Sequence, residues 1–448
     1  MPTHPRIQAC LALHGEVPAE ADWDSIEAAL YTPSPFSLNP AEATALRFTA
    51  IRASFTYHLA HNAFYRRYCE TAGFMPADLR GPDDLPRIPL VPEHFFKGCA
   101  GPEQFVAWLA SITSDEIGWP APGFLGGSYD EQIAALRHDY GIQVRSTSGS
   151  SGVPSFLPRD AVTRRRSAHW KILTYFAMYP EVLDLPDLLS VTLWPLEFSW
   201  ADLIVARERV YALLDKRLGL EAVVRAMTTN EPRGILDRLL GRKGRGKGMG
   251  LLEDVAARLS ELAGSGAPGI LWTPPFLLYA LARFVQERGL RLGLDGRWRI
   301  ELGGGWKLLH ERPLSEPELR MFAVQVLGIP SGQIHDMYGS TECLGLCGLS
   351  CESGYKHVPH SVLHPLVLDE RMEPVGDREW GRFAFLNPLT QAYPGFIVTG
   401  DRVRLLSRCP ACDRTGPVLE PEITRIQGAE DRGCANIVRQ ILAERFSA

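Results

Sequence analysis

The chain has 448 residues, 45% hydrophobic and 22% charged, enough for a large core and more than one lobe. A formal net charge of −5 excludes general electrostatic attraction to nucleic acid, and no apolar run reaches membrane-spanning length. Nine cysteines, an odd number, argue against a disulfide scaffold and for a reduced cytoplasm, where cysteine serves metals or chemistry.

In chain order, "MPTHPRIQAC" lacks a basic head followed by an apolar core, so no signal peptide is expected. Residues 40 to 75 read as helix, with apolar positions recurring every three and four. "GPDDLPRIPLVPEHFFKG" is proline-punctuated and irregular. "GIQVRST" reads as a strand, "STSGSSGVPS" as a hydroxyl- and glycine-rich turn, and "RDAVTRRRSAHWKILTYFAMYP" as a helix. "DLLSVTLWPLEFSW" is a buried strand entering an aromatic loop. "GRKGRGKG", Gly241 to Gly248, nearly matches a nucleotide-binding P-loop but puts Gly248 where Ser or Thr would bind magnesium, and reads as a basic surface loop. "ILWTPPFLLYALARFV", the most apolar run, carries two prolines and an arginine and reads as a strand, a turn and a buried helix. "RWRIELGGGWKLL" and "GQIHDMYGSTECLGLC" are strands running into loops, and short strands dominate after about 355, "VTGDRVRLLS" being the clearest. Alternating strands and helices predict an α/β fold with β-rich additions.

Four of these segments carry chemistry. In 146–155, glycines let successive backbone N–H groups converge on an anion, and Thr147, Ser148, Ser150 and Ser151 add hydroxyl donors beside Gly149 and Gly152; a flexible linker is the plain alternative. "DMYGSTEC" joins a stacking face at Tyr338 to Gly339, to the hydroxyls of Ser340 and Thr341, and to Glu342, a carboxylate suited to magnesium. Gly303, Gly304 and Gly305 follow a strand where a flat base could lie on bare backbone, or simply make a tight turn. Asp401 ends an extended run, where an aspartate is ordinarily a turn residue but could accept from both ribose hydroxyls.

In this order and at these separations the four motifs resemble the adenylate-forming enzymes, the superfamily of acyl-CoA ligases and firefly luciferase, over about residues 145 to 435. The resemblance implies an α/β adenylation domain with stacked sheets over 1–400 and a reduced C-terminal segment over 401–448. It implies ATP and Mg2+ as cofactors, with Thr147 through Gly152 on the β- and γ-phosphates, Tyr338 on adenine, Thr341 on the α-phosphate or carboxylate, Glu342 on magnesium and Asp401 on ribose. "ITRIQGAEDRGC" resembles the hinge, with Arg425 where an arginine meets the ribose.

Departures point to a branch. The loop ends in Pro154-Ser155 where Pro-Lys is usual, and none of the 47 residues after Asp401 is lysine, so no lid lysine is expected from this chain. "GGGWK", with Lys307, and "IPLVPEHFFK" look like the acyl-protein synthetases of bacterial luciferase operons, with phenylacetate-CoA ligases as cousins. In that branch an acyl-accepting cysteine lies near the C-terminus, and Cys434 in "RGC" matches it. Cys434, Thr341, Glu342 and Lys307 are therefore the expected catalytic residues. The implied reaction turns a fatty or aryl acid into acyl-AMP and passes it to Cys434 for a reductase partner. An external acceptor, or a non-catalytic nucleotide-binding subunit, stays open.

The cysteines raise a separate expectation. Cys409 and Cys412 form a C-x-x-C, and with Cys351 and His357 they make a candidate tetrahedral zinc site; Cys343 and Cys347 are rival ligands if their spacing puts them together on a helix. Trp194, Phe198, Trp200, Trp272 and Phe276 are candidates for an acyl pocket or for core, and His169 and Trp170 for a place near the carboxylate.

Overall fold

A computed structural model describes residues 4–97, 101–114, 117–120, 127–146, 155–185, 187–193, 203, 209–213, 247–304 and 314–426. The N-terminal part is helical: α1 (Pro5–Ala12), α2 (Ser25–Leu30), α3 (Pro40–His61), α4 (Ala63–Ala72), α5 (Phe105–Ile112) and α6 (Tyr129–Asp139), with β1 (Val91–Pro92) between them. The single helix expected over 40–75 is two. Asn62 ends α3 in an extended conformation and caps α4, its side chain accepting from the Tyr65 N–H, so the polar residue breaks one run and starts the next.

β2 (Gln143–Ser146) and β3 (Phe156–Arg159) form an antiparallel pair of their own, followed by α7 (Ala161–Met178). Asp160 starts α7 by accepting from the Thr163 N–H. Next come β4 (Leu189–Thr192), β5 (Arg209–Ala212), α8 (Lys247–Gly264), β6 (Gly269–Thr273), α9 (Pro275–Arg288), β7 (Trp298–Gly303), α10 (Glu316–Leu327) and β8 (Ile334–Tyr338). The last part is β9 (Gly348–Ser350), β10 (Lys356–His357), β11 (His364–Leu368), β12 (Trp380–Leu386), β13 (Phe396–Leu406), β14 (Val418–Leu419) and β15 (Thr424–Arg425).

Strands β5, β4, β6, β7 and β8 lie side by side and parallel, as strand–helix alternation requires. Both faces are covered, so β4, β6 and β7 are buried along their whole length. On β7, Ile300 and Leu302 pack toward α9 and α10, while Arg299 and Glu301 face Tyr175 and Tyr179 of α7. From β8 the ladder continues antiparallel through β9, β10, β14, β13, β12 and β11.

β13 is shared between the two regions of the main sheet, pairing with β12 on one side and with β14 on the other. The boundary expected at 400/401 falls inside β13, which runs unbroken from Phe396 to Leu406. No helix among the described residues is long and apolar enough to cross a membrane.

Candidate active site

β8 ends on Tyr338, and the chain must then turn sharply to enter β9. Gly339 makes this possible: a Cβ there would fall 2.5 Å from the Gly345 carbonyl oxygen. The Ser340 carbonyl accepts from the Cys343 and Gly345 N–H groups at 3.1 and 2.7 Å, and Cys347 N–H donates to the Tyr338 carbonyl at 2.7 Å. Leu344 and Gly345 both take positive φ, 56° and 87°. The Tyr-Gly-Ser-Thr-Glu run is thus a closed knot of turns at the carboxyl end of the parallel strands, where ligands of such sheets bind.

Around the knot, Tyr338 Oη donates to Asp401 Oδ2 at 2.8 Å, and Arg425 Nη1 donates to Asp401 Oδ1 at 3.0 Å. β15 pairs with β13 so that Asp401 and Arg425 stand opposite each other. Gly400 has no side chain to push the guanidinium away; a Cβ there would lie 3.3 Å from it. The Tyr338 ring meets Phe383 edge-on, with centroids 5.5 Å apart, and remains partly exposed. Burial of the hydroxyl, and then the Asp401 carboxylate, hold the Tyr338 phenol well above its ordinary range, so it serves as a donor. Three groups expected around the nucleoside are therefore brought together: Tyr338, Asp401 and Arg425.

Thr341 and Glu342 follow on the inner side of the knot. The Thr341 carbonyl accepts from Arg159 Nη2 at 3.1 Å, and the Glu342 carbonyl from Tyr393 Oη at 3.2 Å. The Glu342 side chain is only 2% exposed, facing Arg159 and Tyr393. Ser340 Oγ accepts from the Cys343 N–H at 3.2 Å, and a carboxylate such as that of Glu342 is a ligand type that magnesium takes. Gly303 and Gly304 close β7 beside this turn in register, Gly303 opposite Met337, and Gly304 turns with φ 79°. Thr147, Ser148, Gly149, Ser150, Ser151, Gly152, Gly305, Lys307 and Cys434 lie outside the described residues, as do Trp194, Phe198 and Trp200.

Other expectations move. His169 bonds to Tyr31 Oη at 2.9 Å and to the Leu11 carbonyl at 3.1 Å, fastening α7 to the N-terminal helices. Trp272 and Phe276 are core residues, Trp272 Nε1 donating to Ser190 Oγ. Cys343 and Cys347 lie in turn and loop rather than on a helix; both are buried, and Asn387 donates to the Cys343 sulfur.

The ligand atoms of Cys351, His357, Cys409 and Cys412 lie within 4.8 Å of one another, Cys412 Sγ being 3.2 Å from His357 Nε2. β9 and β10 deliver the first pair, and the loop between β13 and β14 the second. Three sulfurs and one imidazole nitrogen suit tetrahedral zinc. Buried His357 Nδ1 has no hydrogen-bond partner, so the ring is held from its Nε2 side. Sequence reasoning missed Arg145, Arg159, Lys171 and Tyr393. Lys171 stands between buried Trp170 and Ile172 of α7, but in sequence it reads as one of several basic residues on that helix.

Residues 246–443 match the family model described as "Acyl-protein synthetase, LuxE". Over 412 residues, 90% of this chain and 89% of the relative, the chain is 21% identical to the long-chain-fatty-acid–luciferin-component ligase of Vibrio harveyi. It is 28% identical over 174 residues to the ligase of that name from Aliivibrio fischeri, an alignment spanning 39% of this chain and 46% of the relative. The family model covers less than half of this chain, and together with the two relatives it makes the chain similar to the acyl-protein synthetases. Among solved structures, 2-hydroxyisobutyryl-CoA ligase in an open conformation superposes with a TM-score of 0.58 at 17% identity, covering 91% of this chain and 76% of that one. The same ligase in its postadenylation state gives 0.58 at 16% identity, covering 90% and 73%. These likenesses give the chain the fold of that ligase.

Proposed function

We propose that this chain joins a carboxylic acid, fatty or aryl, to AMP at the expense of ATP and then moves the acyl group to the thiol of Cys434. The observation that carries the reading is the bonded set of Tyr338, Asp401 and Arg425 at the end of the parallel strands. It offers a partly exposed ring face, a carboxylate for ribose hydroxyls and a guanidinium within one reach.

The steps follow from positions and charge. A carboxylate oxygen attacks the α-phosphorus, the bond to the β-bridging oxygen breaks, and pyrophosphate leaves; positioning and charge neutralisation do most of the work. Thr341 steadies the α-phosphate or the carboxylate, Asp401 and Arg425 fix the ribose, and Gly303 to Gly305 leave room for the base. Thr147, Ser148, Gly149, Ser150, Ser151 and Gly152 take the β- and γ-phosphates, with Lys307 close to the reacting groups. Magnesium, held by Glu342, would neutralise phosphate charge. The Cys434 sulfur then attacks the acyl carbon, AMP leaves, and the thiol proton passes to solvent. Residues 1–400 form the adenylation domain and 401–448 the segment that carries the acceptor. A reductase is the proposed consumer of the thioester, and Cys351, His357, Cys409 and Cys412 the proposed zinc ligands.

The test is intact mass and pyrophosphate release with ATP and a panel of fatty and aryl acids. A wild-type acyl adduct that is absent in Cys434→Ser, with pyrophosphate still released, is the expected result. Pyrophosphate release unchanged by the substitution, with no adduct in either protein, would move the acceptor outside the chain. No pyrophosphate with any acid would leave a nucleotide-binding subunit.

A further inference from the structure

The hydroxyl-rich loop contains no cation, since Ser155 stands where a lysine is usual. A departing pyrophosphate nevertheless needs positive charge close by. The β2–β3 hairpin that brackets the loop has this register: Arg145 opposite Leu157, and Gln143 opposite Arg159. Residues two apart share a face, so Arg145 and Arg159 are diagonal neighbours on one side of the hairpin. Arg159 is 5% exposed and holds the knot through the Thr341 carbonyl, its other nitrogen lying 3.4 Å from Ser167 of α7.

One helical turn after Ser167 comes Lys171, 3% exposed. A Cβ on Gly345 would lie 3.2 Å from its ammonium nitrogen, so the Lys171 side chain ends against the back of the knot. Burial, then Arg159 and Arg145, hold the Lys171 amine well below its ordinary range, while Cys343 opposes them. The nearby carboxylate that faces Arg159 is Glu342. Hairpin, helix and knot thus bring three basic side chains to one place. A buried group of three basic side chains is a setting in which an anionic ligand gains charge-assisted contacts.

We propose that Arg145, Arg159 and Lys171 form the cationic half of a polyphosphate site, supplying from the hairpin and α7 the charge that the loop lacks. The proposal rests on the nucleotide reading above and assigns three residues to the triphosphate end. The base and ribose stay with Tyr338, Asp401 and Arg425.

Binding of Mg·ATP, Mg·pyrophosphate and AMP to the whole chain, measured by calorimetry, tests it. Lys171→Met is expected to weaken Mg·ATP and pyrophosphate by about 30-fold, the scale of one charge-assisted contact, and AMP by no more than about threefold. Lys171→Arg, which keeps the charge, is expected to restore most of the loss. Equal weakening of all three ligands, or of none, overturns the proposal. Where Lys171→Met does not fold, Arg145→Gln on the partly exposed strand must give the same selective loss, and an unaltered pyrophosphate affinity there overturns it. Wild-type protein that binds neither Mg·ATP nor pyrophosphate overturns the nucleotide reading itself. Wild-type binding that persists unchanged in Lys171→Met overturns this inference alone.

Discussion

Gly339 is the residue on which the candidate site hangs. Replacing it with alanine would drive a methyl into the Gly345 carbonyl 2.5 Å away, and backbone cannot give way as a flexible side chain does. Gly339→Ala is expected to cost about 1–3 kcal/mol of stability, read as a lower unfolding midpoint. It should weaken Mg·ATP further than the stability loss explains, because Tyr338 and Thr341 flank the strained position. At this scale the sequence was a good guide where side-chain chemistry announces itself. An aromatic, a glycine, two hydroxyls and a carboxylate in five residues have few uses together. It was a poor guide to Lys171 and Arg159. Inside "RDAVTRRRSAHWK" one lysine among several basic residues reads as solvated helix surface, and only the packing of α7 against the knot gives it a buried end.

Among the elements, the loop between β13 and β14 is the one whose role depends most on the rest of the fold. "CPAC" gives half of a metal site by itself; its other half, 351–357, becomes a neighbour only because β14 pairs with β10 and β10 with β9. Purified protein is expected to carry about one zinc per chain, as a closed four-ligand site does. Cys412→Ser should lower that content by more than about half and lower the unfolding midpoint, because the ion would close the loop to the sheet. Undiminished zinc on metal analysis would count against these ligands. The C-x-x-C was legible from its spacing, and so were Cys351 and His357. Spacing was right that Cys343 and Cys347 lie together but wrong about the cause: no helix aligns them, and a turn through left-handed Leu344 and Gly345 brings their side chains into contact.

Across the whole molecule, acid should act through buried histidines. Burial holds His58 down to about 3, His169 to about 4 and His364 to about 3. Each is neutral in the fold, while its unfolded counterpart takes a proton below about 6.5. Stability is therefore complete above pH 6.5 and falls as pH drops toward 4, by roughly 2 kcal/mol per histidine at pH 5. Buried Glu301, raised to about 7 by desolvation, works the other way and returns about 2 kcal/mol over the same interval. Three histidines outweigh one carboxyl, so urea midpoints are expected to decline from pH 7 to pH 5; a flat or rising profile would contradict the balance. The general class of fold was legible from alternating strands and helices. The way β13 joins the parallel strands to the β-rich end was not, because β9, β10, β14 and β15 are two or three residues long and carry no periodicity to read.

β13 also sets a timetable. Val91 and Pro92 pair with Ile397 and Val398, so a strand from the first quarter of the chain waits for one near its end. β12, β14 and β15 take their places beside the same late strand. During synthesis the parallel strands and their helices can assemble early, but Asp401 meets Tyr338 only when almost all of the chain has emerged. Until then β12 offers an open edge to neighbouring chains. A ribosome that stops before Phe396 would therefore release something more damaging than a slightly shortened chain: a product without the Tyr338–Asp401 contact and with an adhesive edge.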